Sequence, residues 1–308
     1  MRLIRGLHKL PAAARGCVLT IGNFDGVHRG HQAVLGQLCA RARARGLPAT
    51  VMLFEPTPQE YFAPGQAPAR LSRLRDKLVL LRGLRVDQVV CLRFGPHLAG
   101  LDAESFVREI LVEGLSVRHL VIGDDFRFGR GRRGDFDFLR RAGETHGFAV
   151  EATHTFAEAG GRVSSTRIRE ALAAGDLELA GRLLGRPYRI CGRVAPGRQR
   201  GRGMGFPTAN LRLHRAVSPL RGVFAVRAWG LGKGPVTGVA NLGTRPTVCG
   251  QETVLETHLF NFAQDIYGRY LDIEFCHRLR DERKFESFDE LKRQIELDAE
   301  QARRFFSE

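Results

Sequence analysis

No two cysteines in this chain are spaced as Cys-x-x-Cys; the six, Cys17, Cys39, Cys91, Cys191, Cys249 and Cys276, are scattered. Neither a zinc knuckle nor a disulfide framework is indicated, and a reducing, cytoplasmic setting is expected. No apolar run approaches a membrane span, so no membrane association is expected. Met1 to Arg15 is basic but lacks the apolar stretch of a signal peptide. There is no Gly-Lys-Ser/Thr, which excludes a P-loop. Acidic residues are the minority, 33 Asp and Glu against 48 Lys and Arg, leaving a net charge of +15. That balance suits nucleic acid and equally suits polyphosphate substrates. The arginines are spread along the chain, as in Arg41, Arg43 and Arg45, which an ordinary solvated basic face also explains. At 308 residues with 43% apolar content, the chain has room for about two domains with buried cores.

What is there begins with Gly22-Asn23-Phe24-Asp25-Gly26-Val27-His28-Arg29-Gly30-His31. An apolar run, Cys17 to Ile21, precedes it with strand character, and Val34, Leu35, Leu38 and Cys39 follow at helical spacing. The stretch therefore reads as strand, glycine-rich turn, helix start. Free N–H groups and the positive dipole end of that helix favour phosphate. His28 and His31, three residues apart, share one side of the first turn, and Gly30 lets a ligand approach the backbone. One reading is an ATP site in which two imidazoles stabilise charge on phosphate oxygens. The plainer one is two surface histidines beside a turn. A metal site of Asp25, His28 and His31 is disfavoured, because no third imidazole or cysteine stands nearby.

Strands are expected at 49–54, 88–94, 119–123 and 148–151, with helices over 71–84 and from Asp102 onward, and a proline-marked loop at Pro56, Pro58, Pro64 and Pro68. The alternation predicts a parallel sheet with its ligands beyond the carboxyl ends of the strands. Gly129-Arg130-Gly131-Arg132-Arg133-Gly134 matches the dinucleotide-binding pattern, but Asp124 to Phe128 separate it from the strand, and a Rossmann loop leaves its strand directly. With Phe126, Phe128, Phe136 and Phe138, the segment also has the composition of an RNA-stacking surface. Ser164-Ser165-Thr166-Arg167-Ile168-Arg169 opens a helix; capping explains one hydroxyl but not Arg169. Two short helices are expected over 171–184, around Gly175-Asp176.

After Pro187 the chain turns to strands, at 188–194, 222–229, 236–241, 253–262 and 270–276, which suggests a small barrel. A closing helix over 287–305 starts with a capping box, Ser287 and Glu290. Gly201-Arg202-Gly203-Met204-Gly205-Phe206-Pro207-Thr208-Ala209-Asn210 reads either as a glycine segment that wraps phosphate and holds magnesium, or as a plain basic loop.

With Gly22 to Val27 ahead of His-x-Gly-His, the opening stretch resembles the adenylyltransferase module of prokaryotic bifunctional riboflavin kinase/FAD synthetases. Ile122 to Gly129 and Ser164 to Arg169 resemble that module's later motifs, in order. Gly-Phe-Pro-Thr-Ala-Asn, Gly238 to Thr247, Glu256 to Phe260, and Arg280 with Glu282 and Phe285 resemble the riboflavin kinase module. The resemblance implies an α/β nucleotidylyltransferase domain over 1–185 and a β-barrel kinase domain over 186–308. It implies ATP as substrate of both reactions, magnesium as cofactor, and riboflavin, FMN and FAD as the other ligands, with no nucleic acid partner and no oligomeric state specified. His28 and His31 would stabilise adenylyl transfer, with Gly22, Asn23, Phe24, Asp25, Gly26 and Gly30 around the nucleotide. Asp125 would lie near ribose or flavin. Ser164, Ser165 and Thr166 would close over the ATP phosphates, and Arg169 would neutralise the leaving pyrophosphate. Gly203, Gly205 and Pro207 would flank the kinase nucleotide, Thr208 and Asn210 the magnesium, and Arg280, Glu282 and Phe285 the flavin. Glu256 would be the kinase base. Asn261 departs from the aspartate frequent in relatives. The alternatives are a nucleotidylyltransferase with a decayed kinase domain, or a basic RNA-binding protein.

Overall fold

The computed structural model of the chain describes residues 1–11, 16–153, 156–196, 206–213, 217–247 and 250–307, with the side chains of 245–252 outside that description. Two compact units emerge: Met1–Pro68 with Ser72–Val163, and Ala69–Leu71 with Ser164–Glu308.

The first unit contains, in chain order, β1 (Arg2–Arg5), β2 (Val18–Ile21), α1 (Arg29–Arg45), β3 (Ala49–Glu55), α2 (Pro58–Phe62), α3 (Leu74–Gly83) and β4 (Gln88–Arg93). Then come α4 (Pro96–Gly100), α5 (Ala103–Phe106), β5 (His119–Gly123), α6 (Phe136–His146), β6 (Ala149–Thr153), and the small hairpin β7 (Ala157–Glu158) and β8 (Gly161–Arg162). The six-stranded sheet has the order β1-β4-β3-β2-β5-β6, and its strand pairs all run parallel. β2 is buried at all four residues, as a strand covered on both faces must be. Val18, Leu35, Leu38 and Leu81 pack on one face, and Leu19, Ile21, Leu115, Leu120 and Leu139 on the other. The chain leaves β2 toward β3 on one side and returns to β5 on the other. The strand order therefore reverses at β2, which opens the ligand crevice of such sheets at its carboxyl end.

The expected alternation is present, with differences that have physical causes. Arg2–Arg5, within the basic stretch Met1 to Arg15 where no strand is expected, pairs in parallel with β4, with Ile4 buried. The proline-marked loop holds α2, because Pro58 follows a Thr57/Glu60 capping box and preorganises the first turn. The helix begun by Asp102 continues beyond α5 as a π-helical segment over Val107–Gly114.

The second unit contains α7 (Ser165–Ala174), α8 (Leu177–Leu184), β9 (Arg189–Ala195), β10 (Thr208–Arg212), β11 (Gly222–Trp229), β12 (Val236–Thr247), β13 (Gly250–Leu259), β14 (Tyr270–Arg280) and α9 (Phe288–Ser307). The strands close into a barrel in the order β10-β13-β12-β11-β14-β9. β10 is a strand the glycine-rich sequence concealed: Ala209 and Leu211 are buried while Thr208 and Asn210 are half-buried. α9 covers part of the outer wall, packing Ala299 and Ala302 on Val223, Ala225 and Val239. Ser287 caps α9 by accepting from the Glu290 N–H at 3.1 Å, but the Glu290 carboxylate reaches the Glu286 N–H at 3.2 Å, one residue beyond a regular capping box.

Candidate active sites

In the first unit, the loop from Gly22 to His28 leaves β2 at the reversal point. Phe24 (φ 46°), Gly26 (φ 82°) and Val27 (φ 43°) all have left-handed backbone. At Phe24 and Val27 that conformation costs about 1–3 kcal/mol each, and such strain persists only where the surroundings impose it. Ser72 supplies part of the constraint. Its N–H and Oγ–H donate to Asp25 Oδ1 at 3.0 and 3.3 Å, and its Oγ accepts from the Gly26 N–H at 2.9 Å. Gln32 Nε2 donates to the Val27 carbonyl at 2.9 Å. Asp25, read from sequence as a nucleotide contact, is buried in this lattice; Asn23 is half-buried in the same loop.

His28 is the N-cap of α1. Its Nδ1 accepts the His31 N–H at 3.2 Å, which puts the ring proton on Nε2 of a neutral imidazole. The two rings stack at 3.5 Å, 15° from parallel, with Phe24 at 4.9 Å from His31. Burial foremost, with the electrostatics of the neighbouring His28 and Lys77, holds His31 well below the usual histidine range. Its Nδ1 is buried and has no hydrogen-bond partner among the described residues. A Cβ on Gly30 would sit 3.2 Å from the His28 ring, so this glycine makes room for the cap itself. The metal reading gains no support: among the described residues no three His, Cys, Asp or Glu groups converge. Ser72 and the buried Lys77 were missed because only tertiary packing brings α3 to this loop.

Asp125 accepts from Arg162 Nη2 at 2.5 Å, in an exposed pair at the foot of β8. Arg29 pairs with Glu158 at 2.6 Å and lies over the Phe156 ring. Phe128 is buried, and the half-buried Phe126, Phe136 and Phe138 pack against the same core, so the rings of the RNA-stacking reading are engaged in packing. The Gly129–Gly134 stretch forms a short turn bridged between Phe128 and Gly134, with no Rossmann geometry.

Ser164 to Arg169 belong to the second unit. Ser164 Oγ accepts from the Arg167 N–H at 3.3 Å and caps α7; Ser165 and Thr166 occupy its first turn. Arg169 Nε donates to the Ala69 carbonyl at 2.6 Å.

On the barrel, Glu256 stands on β13 opposite Asn210 of β10 on one side and Asn241 of β12 on the other. Its neighbours Leu255 and Thr257 are buried inside the barrel, so Glu256 faces outward and half-buried. Thr208 pairs with His258, whose Nδ1 hydrogen-bonds the Pro207 carbonyl at 2.9 Å. Thr208 and Asn210 are two residues apart on one face, and the Asn210 amide reaches the Thr208 carbonyl at 3.4 Å. A hydroxyl, an amide and a carboxylate present hard oxygen donors, which fit magnesium. Gly203 and Gly205 lie outside the described residues.

Sequence alone does not show that Glu282 reaches this row. Its carboxyl is bonded to Asn241 and pressed so closely on Gly243 that a Cβ there would overlap it; burial pushes its pKa up, against that hydrogen bond and Arg221 and Arg280. Arg280 forms a fork on Asp298 of α9, Nε to Oδ1 at 2.8 Å and Nη2 to Oδ2 at 2.6 Å, and Gln294 adds a third bond to that carboxylate. Phe285 lies under the Arg280 and Arg283 guanidinium groups.

A family model described as FAD synthetase matches residues 10–167, and one described as riboflavin kinase matches 184–306. The bifunctional riboflavin kinase/FMN adenylyltransferase of Escherichia coli (strain K12) is 54% identical over 307 residues, 99% of this chain and 98% of that protein. The Haemophilus influenzae protein of the same name is 52% identical over the full length of both chains. That of Pseudomonas fluorescens is also 52% identical, over 98% of this chain and 97% of its own. A crystal structure described as a macrolide-efflux protein from Streptococcus pneumoniae has the same fold, with a TM-score of 0.82, 30% identity, and coverage of 98% of this chain and 99% of that one. Among the described residues, no helix of this chain is long and apolar enough to cross a membrane.

Proposed function

Since this chain belongs to the bifunctional riboflavin kinase/FMN adenylyltransferase family, we propose a division of labour among its residues. The protein is an enzyme with two activities: it phosphorylates riboflavin with ATP to give FMN, and adenylylates FMN with ATP to give FAD and pyrophosphate. The observation that carries the reading is that each activity has its own family match and its own constellation, the stacked pair at the α1 cap and the carboxylate row on the barrel.

In adenylyl transfer, an FMN phosphate oxygen attacks the ATP α-phosphorus as the bond to the β-phosphate breaks, so no protein nucleophile is needed. His28 presents an Nε2–H, and the α1 amides add donors beside it. An arriving polyphosphate favours the charged form of His31, against the burial that keeps it neutral. Gly22, Asn23, Phe24, Asp25, Gly26 and Gly30 shape this loop, and Asp125 serves ribose or flavin. Arg169 and the hydroxyls of Ser164, Ser165 and Thr166 serve the leaving pyrophosphate.

In the kinase reaction, Glu256 takes the proton of the ribityl hydroxyl as its oxygen attacks the γ-phosphorus and ADP leaves. Thr208 and Asn210 would hold magnesium, which would neutralise phosphate charge when bound. Pro207, Gly203 and Gly205 border the nucleotide; Arg280, Glu282 and Phe285 border the flavin. The functional division follows 1–185 and 186–308, although α7 and α8 pack with the barrel. A cytoplasmic location is supported by free thiols at Cys17, Cys39, Cys91, Cys191 and Cys276. The test is to incubate the protein with riboflavin, ATP and magnesium and separate the flavins. FMN and FAD together are expected; neither flavin, with a salt-steep RNA shift instead, would favour the RNA-binding alternative.

A further inference from the structure

We propose that Ser72 and Asp25 form a positioning clamp for adenylyl transfer, holding the left-handed turn from Phe24 to Val27, and through it the His28 cap, in the arrangement the reaction uses. The proposal rests on the reading that the first unit carries the adenylyl chemistry. It changes the role of Asp25 from ligand contact to scaffold and adds a residue that no motif contains.

Three observations converge on it. Asp25 is 8% exposed and Ser72 is 5% exposed, so the clamp is enclosed. The Ser72 hydroxyl is used in both directions, donating to Asp25 Oδ1 at 3.3 Å and accepting from the Gly26 N–H at 2.9 Å, while the Ser72 N–H adds a second bond to the same carboxylate oxygen at 3.0 Å. The clamped pair, Asp25 and Gly26, lies between the two residues whose backbone resists the conformation they adopt, Phe24 and Val27, with φ of 46° and 43°.

The mechanical consequence follows from chain order. Gly26 is two residues from His28, whose Nδ1 caps α1 by accepting the His31 N–H and whose ring stacks on His31. Without the hydroxyl, the Gly26 N–H loses that acceptor and Asp25 one of its donors. The hold on the turn is then weaker, which lets the cap and the Nε2–H it presents shift. Misplacement on that scale lowers turnover more than binding, because remote parts of the substrates still hold them.

The experiment uses the full chain with Ser72→Ala, Ser72→Thr and Asp25→Asn, each assayed for FAD formation from FMN and for FMN formation from riboflavin. Ser72→Ala is expected to lower kcat for FAD formation by about ten- to a hundredfold, with the KM for ATP and for FMN little changed. FMN formation should stay at the parent rate. Ser72→Thr keeps the hydroxyl and should recover most of the loss. Asp25→Asn should fall with Ser72→Ala, and the double variant should be no slower than the slower single, since both break one clamp. If Ser72→Ala fails to fold, Asp25→Asn and Ser72→Thr carry the same comparison. FAD formation at the parent rate in Ser72→Ala, a Thr variant as slow as the Ala variant, or parallel loss of both activities would overturn the clamp. An unaltered protein that makes FMN but no FAD would instead overturn the reading beneath it, before any variant is compared.

Discussion

The first unit gathers its candidate chemistry into one loop and one helix turn, whereas the barrel distributes its own over three strands. In the loop, backbone strain, a helix dipole and two stacked neutral imidazoles act together within ten residues. On the barrel, the backbone is regular, and Asn210, Glu256 and Asn241 meet only because register puts them in one row. In the proposed division of labour, the first arrangement would stabilise charge on a substrate that supplies its own nucleophile, and the second would place a carboxylate where a weakly nucleophilic hydroxyl needs a base. On that reading, two phosphate chemistries use two different local architectures in one chain.

Breaking the barrel row should have the largest effect. Glu256→Gln keeps shape but removes basicity, and should lower FMN formation by about 10²–10⁴-fold while FMN supplied directly still becomes FAD. Rate assays started from riboflavin and from FMN check this; an unchanged kinase rate would move the base to Glu282, the carboxylate on the other side of Asn241. His31→Ala attacks the other arrangement. It should slow FAD formation by about 10²–10³-fold, as for a removed transition-state donor, and leave FMN formation intact.

The comparison also sharpens in stability. The Arg280–Asp298 fork ties α9 to the barrel with Asp298 almost fully buried. Asp298→Ala strands the guanidinium and should cost about 3–5 kcal/mol, read as a lower denaturant midpoint with FAD formation from FMN preserved below the transition. The first unit has its own ionic lock on the opposite side of its chemistry. Glu151 accepts from Arg41 and Gln37 and bonds His119 at 3.0 Å. The Arg41 hydrogen bond foremost, against burial and helped by Gln37 and His119, holds Glu151 at about 2, below its ordinary 4.5. Burial, against the Glu151 hydrogen bond, lowers His119 below its ordinary 6.5. Both groups bind protons more readily when unfolded, so their contribution is present at neutral pH and lost on acidification. The His119 part fades below pH 6.5 and the Glu151 part between 4.5 and about 2. Allowing for solvent screening, Glu151→Gln should flatten the acid limb by about 1–2 kcal/mol, seen in unfolding midpoints measured against pH.

The same contrast explains what could be read from sequence. The α1 motif was legible because strand, turn, cap and imidazoles are contiguous, and the periodicity on either side fixes their context. The barrel row was not: alternation around Glu256 says only that it faces outward, and its partners lie 46 and 15 residues away in sequence. Family resemblance, not spacing, singled it out. Ser72 carries no local signal within the helical stretch 71–84, and β1 and β10 are masked by the surrounding arginines and glycines. The phenylalanines at 126–138 misled in the opposite direction, since rings interleaved with arginine resemble a stacking surface until packing places them against the core.

The central claim is that one chain carries two separable sites joined by a released product. Mixing His31→Ala protein with Glu256→Gln protein, and starting from riboflavin, ATP and magnesium, tests it most directly. Each variant alone should give little FAD, the first stopping at FMN and the second scarcely beginning, while the mixture should accumulate FAD as FMN passes from one protein to the other. A mixture that makes FMN but no FAD, although the Glu256→Gln protein converts added FMN, would contradict free transfer between independent sites; a mixture no better than either protein, with both assays failing on both variants, would contradict the assignment of one chemistry to each.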